Sequence, residues 1–139
     1  PAPAEPAVGQ PLAGKTLAVW GLSFKPETDD VREAPALALI DALIAAGATI
    51  QASDPVAHGT AAAACARHGE ALRLYANAYD AARGADALIL CTEWRQFRQP
   101  NFARLKSLMR GVALFDGRNI WDGERVRSKG FVYHGIGVR

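Results

Sequence analysis

Ala87-Leu88-Ile89-Leu90-Cys91 is an unbroken apolar run of strand length. Without polar alternation, such a run reads as a strand buried on both faces, as in the middle of a parallel sheet. Toward the N-terminus, Thr16-Leu17-Ala18-Val19-Trp20 has the same character and stops at Gly21. Thr49 to Ser53 reads as another strand, closed by the turn pair Asp54-Pro55. Leu72 to Tyr75, Val112 to Phe115 and Phe131 to His134 complete a set of about six.

Helical stretches separate these strands. In the one opened by Pro35, Leu37, Ile40, Ile44 and Leu39, Leu43 recur at helical spacing. Proline suits the first turn, where its missing N–H costs nothing, and Gly47 suits the left-handed cap at the other end. Residues near 58–68 are alanine-rich and helical, and Ala78 to Arg83 and Glu124 to Lys129 read as short helices. Phe102 to Met109 is helical, with Leu105 and Leu108 on one side. Strands alternating with crossover helices predict an α/β domain. Its expected form is a three-layer, Rossmann-like, doubly wound and mainly parallel sheet of about six strands. Ligands of such folds lie outside the carboxyl ends of the strands, which nominates loops 21–34, 54–57, 92–99 and 116–122.

The chain has 139 residues, 50% hydrophobic and 22% charged, with a net charge of +2. That is one domain's worth of chain with material for a core. A disordered tail would carry fewer apolar residues and more net charge. A glycine triplet period, a sustained heptad and an apolar run of about 20 residues are all missing, so collagen, coiled-coil and membrane-span readings fall. The length is too short for a two-domain oxidoreductase with its own cofactor and substrate domains. Pro1 to Ala13 is Pro/Ala-rich and reads as a linker or a cut end, leaving 14–139 as the domain. A start on Pro1 rather than methionine is expected of a piece of something longer. The first residues do not have a signal-peptide pattern, so the expected location is cytoplasmic.

The net charge hides an asymmetry. Residues 1–91 carry 6 basic and 10 acidic groups, and residues 92–139 carry 10 and 4. The basic part either presents a solvated face or helps hold an anion. Its charges are not clustered with stacking aromatics, which disfavours nucleic acid.

The loop 21–34 follows the first strand, where a dinucleotide fold carries GxGxxG, yet it has one glycine. It does carry Lys25, a mobile point charge, and Arg32, a fork that suits phosphate oxygens. These residues read either as ligand contacts or as a surface loop in which Asp29, Asp30 and Arg32 pair. Asp54 stands where Rossmann folds place a ribose-binding acid, but Asp-Pro is also a helix-capping turn. Trp94 and Phe97 read as exposed-loop rings that pack over a core edge or against another domain. Arg118, beside Gly117 in Asp116-Gly117-Arg118-Asn119, is the best anion contact of the basic part, against a structural Asp116–Arg118 pair. Cys91 reads as a small buried residue, since no histidine is placed to activate it. Cys65 lies far from Cys91 and nothing demands a disulfide; His58, His68 and His134 show no metal spacing, so no metal site is expected.

Together these pieces resemble a known family. The stretch 21–35, GLSFKPETDDVREAP, is similar to the signature that opens the C-terminal domain of UDP-glucose 6-dehydrogenases. Asp54-Pro55, Thr92-Glu93-Trp94 with Phe97, Phe115-Asp116-Gly117-Arg118-Asn119, Gly130-Phe131-Val132-Tyr133 and Gly135-Ile136-Gly137 follow in the family's order. The resemblance implies a UDP-binding domain over 14–139. It implies contact of Phe24, Lys25 and Arg118 with the nucleotide sugar, and of Arg32 with NAD held mainly by another domain. It further implies oxidation of UDP-glucose to UDP-glucuronate with two NAD. The partners it implies are an NAD-binding domain and a dimerising middle domain of the same polypeptide, in a homodimer, with no nucleic acid or membrane. The family's catalytic cysteine lies in a glycine-rich motif ahead of this domain. Neither Cys65 nor Cys91 inherits that role, so no catalytic residue, and no dehydrogenase activity, is expected of this chain alone. A related dehydrogenase acting on UDP-N-acetylmannosamine or GDP-mannose is the alternative of the same class. A phosphorylated receiver-like signalling domain is the alternative of another class, but its acid pair and its lysine are out of register here.

Overall fold

The computed structural model describes residues 11–22, 35–54, 66–92 and 95–135, with the side chains of 35–37 and 67 excepted. Six strands form one sheet: β1 (Thr16–Trp20), β2 (Thr49–Ser53), β3 (Leu72–Leu74), β4 (Ala87–Leu90), β5 (Ala113–Asp116) and β6 (Val132–Gly135). Every pairing is parallel, in the order β3-β2-β1-β4-β5-β6. This is the doubly wound order, and its direction reverses between β1 and β4. The helices are α1 (Pro35–Ala45), α2 (Ala78–Ala82), α3 (Arg95–Arg98), α4 (Phe102–Leu108) and α5 (Gly123–Ser128), with a 3-10 segment at Ala66–Ala71 kinked at Gly69. Of the alanine-rich stretch, 58–65 lies outside the described residues.

Local chemistry sets the helix ends. Gly47, at φ 102°, donates to the Ile44 carbonyl at 2.9 Å, and Ala48 donates to Leu43 at 3.1 Å. This is the paired-bond stop that a left-handed residue makes possible, and it turns α1 into β2. Asn77, Asn101 and Asp122 cap α2, α4 and α5 by accepting from the first-turn N–H groups. Gln51 of β2 donates to the carbonyls of Ala81 and Arg83 at 2.7 and 3.0 Å, satisfying the far end of α2.

The two faces of the sheet bury different things. Leu17, Val19, Ile50 and Leu72 meet Ile40 of α1, with Leu12, Leu43 and Ile44 at its margin. On the other face Trp20, Leu88, Leu90 and Leu114 meet α2 to α5 through Ala82, Phe97, Leu105 and Val126. Trp20 lies at the centre there. Phe97 stacks on it at 4.9 Å, and Tyr79 and Trp121 meet it edge-on at 5.9 and 6.2 Å. Such pairs add about 0.5–1.5 kcal/mol each beyond area burial. Phe97 is therefore core, 1% exposed, and the reading of it as an exposed-loop ring is corrected. Trp94 lies outside the described residues.

Glycines let β5 press against β4 at both ends. A Cβ on Gly111 would come 1.9 Å from the Asp86 carbonyl oxygen, and one on Gly117 would come 2.6 Å from that of Leu90. At the amino edge, Asp86 accepts from the Thr16 N–H at 2.8 Å. It also takes both arms of the Arg110 guanidinium, at 2.8 and 2.6 Å. The hydrogen bond from Arg110 is the main reason its carboxyl lies below the ordinary 3.8.

Candidate functional site

The carboxyl edge is assembled from the ends of four strands. Gly21 donates to the Ser53 carbonyl at 2.8 Å, Cys91 to Trp20 at 2.9 Å, and Gly117 to Leu90 at 2.9 Å. These bonds carry the ladder one residue past the strands. Gly21 takes φ 96°, and a Cβ there would lie 2.5 Å from the Thr92 Cβ. Thr92 is wholly buried, so the direction-reversal point between β1 and β4 is packed by the protein's own side chain. In a dinucleotide fold that approach is kept for pyrophosphate.

Asp54 is 1% exposed and accepts from the Leu22 N–H at 2.8 Å. Its carboxylate thus pins the start of the first loop to the end of β2. The residues that a helix cap at Asp54 would serve, from 55 onward, lie outside the described ones.

Asp116, the last residue of β5, is fully buried. One oxygen accepts from the Arg118 N–H at 3.1 Å, an Asx turn that starts the loop. The other accepts from the Trp121 N–H at 2.8 Å and the Tyr133 hydroxyl at 2.9 Å. The hydroxyl also lies 3.2 Å from the Trp121 carbonyl. Between these anchors Asn119 adopts φ 57°, a left-handed conformation that asparagine tolerates better than most residues. The Trp121 indole N–H donates to the Phe97 carbonyl at 2.6 Å, tying the loop to α3. Burial first, then the bond to Asp116 and the charge of Asp116, push the Tyr133 phenol up to about 12, so it stays a donor.

Arg118 is exposed on this loop at the carboxyl end of β5, where the sequence placed it. The structural pair with Asp116 exists through the Arg118 backbone, and the close approach made by Gly117 is to β4. Arg118 lies near Cys91, whose thiol its charge favours as thiolate. Cys91 is half-buried, and desolvation of its thiol outweighs this and pushes it up to about 12, the reverse of an activated nucleophile. Phe24, Lys25 and Arg32 lie outside the described residues. Asp41 and His68 meet at 2.6 Å, joining α1 to the 3-10 segment. Among the described residues no group of His, Cys, Asp and Glu could hold a metal, and no helix is long and apolar enough to cross a membrane.

Sequence reasoning passed over the roles of Tyr133, Trp121 and Thr92. Alternation in β6 was the available signal, since it sets Tyr133 on the face opposite Val132 and His134. Its meeting with Asp116, 17 residues away, is a product of the β5–β6 pairing.

The strand order, the single-glycine first turn and the exposed arginine at the carboxyl edge define a class: a Rossmann-type α/β domain, a fold whose ligands lie beyond the strand ends. The family model for the UDP binding domain of the UDP-glucose/GDP-mannose dehydrogenase family matches residues 18–123, and the chain belongs to that family. It is 50% identical over 130 residues to UDP-glucose 6-dehydrogenase of Pseudomonas aeruginosa, covering 89% of this chain and 28% of that protein. It is 43% identical over 131 residues to UDP-glucose 6-dehydrogenase of Rhizobium meliloti, covering 94% and 29%. A solved UDP-glucose dehydrogenase from Pyrobaculum islandicum matches with TM-score 0.74 and 27% identity, over 92% of this chain and 26% of that one. The chain thus spans between a quarter and a third of the length of these relatives.

Proposed function

We propose that this is the C-terminal, UDP-holding domain of a UDP-glucose 6-dehydrogenase, with Arg118 a contact to the diphosphate. The observation that carries the reading is the place of Arg118. It sits at the carboxyl end of β5, on a loop held by hydrogen bonds to the buried Asp116, in a chain half identical to a UDP-glucose 6-dehydrogenase. A guanidinium fork suits paired phosphate oxygens. Phe24 and Lys25 complete the nucleotide-sugar contacts in this reading, and Arg32 reaches the NAD.

The domain's share of the work is then positioning. Electrostatic holding of the diphosphate lets binding energy remote from the reacting carbon orient the glucosyl C6. Hydride transfer to NAD and the covalent chemistry fall to other domains of the same polypeptide, in a cytoplasmic homodimer. NAD would supply the oxidant, and Arg32 is the residue of this chain assigned to it.

The test is Arg118→Ala in the intact dehydrogenase, with UDP-glucose affinity read by calorimetry. The expected loss is roughly 1.5–3 kcal/mol, the range for a charged hydrogen bond. Arg118→Lys should recover only part of it, because the fork geometry is lost. Unchanged affinity in Arg118→Ala would refute the assignment.

A further inference from the structure

We infer that Tyr133 and Asp116 are positioning residues that set Arg118 for its ligand, an inference that rests on the reading of Arg118 as a diphosphate contact. Arginine carries about 2 kcal/mol of rotamer entropy, so a binding arginine gains from a backbone that is already fixed. The loop from Gly117 to Ile120 is exposed or half-exposed and is not part of a strand or helix. One side chain holds it at two points, beside the Gly117 bond to Leu90 and the Trp121 bond to Phe97. Asp116 grips it at both ends, at the Arg118 N–H and at the Trp121 N–H.

Tyr133 in turn fixes Asp116. It stands on β6 opposite Leu114, and its phenol crosses to the Asp116 carboxylate at 2.9 Å. The ring has little room to move. A Cβ on Gly123 would lie 2.9 Å from its Cδ2, and the Arg127 guanidinium lies 5.6 Å from the ring centre. The same hydrogen is shared at 3.2 Å with the Trp121 carbonyl, so the phenol lies between the carboxylate and the far end of the loop. The left-handed Asn119 lies between the two grips, where a backbone of this kind persists only if its surroundings hold it.

The test is a double-mutant cycle on UDP affinity in the intact dehydrogenase, by calorimetry with UDP as the probe. Tyr133→Phe keeps the ring and removes only the hydroxyl, so folding survives where Asp116→Ala endangers it. In the parent, Tyr133→Phe should weaken UDP roughly three- to tenfold, part of the worth of one hydrogen bond to a carboxylate. In the Arg118→Ala background it should change affinity less than about twofold, because its effect runs through Arg118. Tyr79→Phe is the structural control. It also loses a hydroxyl bond, the one to the Asn101 N–H at 2.9 Å, and should leave UDP affinity unchanged. Equal losses from Tyr133→Phe in both backgrounds, no loss in the parent, or an equal loss from Tyr79→Phe would each overturn the inference. Failure of the underlying reading shows separately, as an Arg118→Ala protein that binds UDP like the parent; that result removes both.

Discussion

Asp86, at the amino edge of the sheet, and Asp116, at the carboxyl edge, each tie a strand to its surroundings. Asp86 is matched with a cation, the Arg110 fork, at the surface. Asp116 is fully buried and met by neutral donors: two backbone N–H groups and a phenol. Surface ion pairs contribute little and are screened by salt. A buried carboxylate is costly to leave unmatched, so its donors must be in place whenever the domain is folded. The amino edge is therefore built to tolerate loosening, whereas the carboxyl edge is built to hold one loop in one conformation. That is the edge at which an α/β domain binds.

Removing each carboxylate should separate the edges most clearly. Asp116→Ala leaves the Arg118 and Trp121 N–H groups without their acceptor and the Tyr133 hydroxyl with only the Trp121 carbonyl, and should cost about 3–5 kcal/mol. Asp86→Ala orphans one part-buried backbone donor and should cost about 1–2 kcal/mol. Urea denaturation compares them, and equal costs would break the contrast.

The two glycines sharpen it at intermediate size. Gly111→Ala forces a Cβ onto the Asp86 carbonyl just before β4 and Gly117→Ala onto the Leu90 carbonyl at its end, and each should destabilise by about 1–3 kcal/mol. UDP titration should divide them: affinity falls for Gly117→Ala, which displaces the Arg118 loop, and holds for Gly111→Ala. A loss of affinity in both would place the effect in general unfolding.

The smallest effect concerns pH. Arg110 keeps the Asp86 carboxyl below 3.8 in the folded chain, whereas unfolding returns it to the ordinary value. The stabilisation is complete above about pH 5 and is lost as pH falls through the folded value. Arg110→Gln should therefore flatten the acid side of the stability curve while changing neutral stability only slightly. Adding about 1 M salt should move the parent toward the variant, since screening at that strength reaches within about 3 Å. Parallel acid limbs for the two proteins would remove the charge argument.

The strands were readable because parallel strands are apolar throughout, and Thr16–Trp20 and Thr49–Ser53 appear with the bounds expected. Beta5 runs one residue later than expected, at Ala113–Asp116, because the polar Asp116 is a buried strand member once Tyr133 supplies its hydrogen. No composition rule tells a chain that such a donor waits 17 residues ahead. The one-turn helix Arg95–Arg98 and the burial of Phe97 were hidden for a similar reason: its partner is Trp20, on another strand. The place of Arg118 was legible because topology alone sets a residue just past a strand end. The bonds of Asp116 and Tyr133 behind it were not, because they are made by pairing between strands.

The contact of Thr92 with Gly21 bears on redesign. A protein engineer wishing to give this scaffold a dinucleotide would begin by writing more glycines into the first turn. Those glycines would still face a threonine lodged 2.6 Å, at its Oγ1, from where a Gly21 Cβ would stand. The end of β4 would have to be recut together with the turn, which makes the room at the first turn a property of two segments about 70 residues apart.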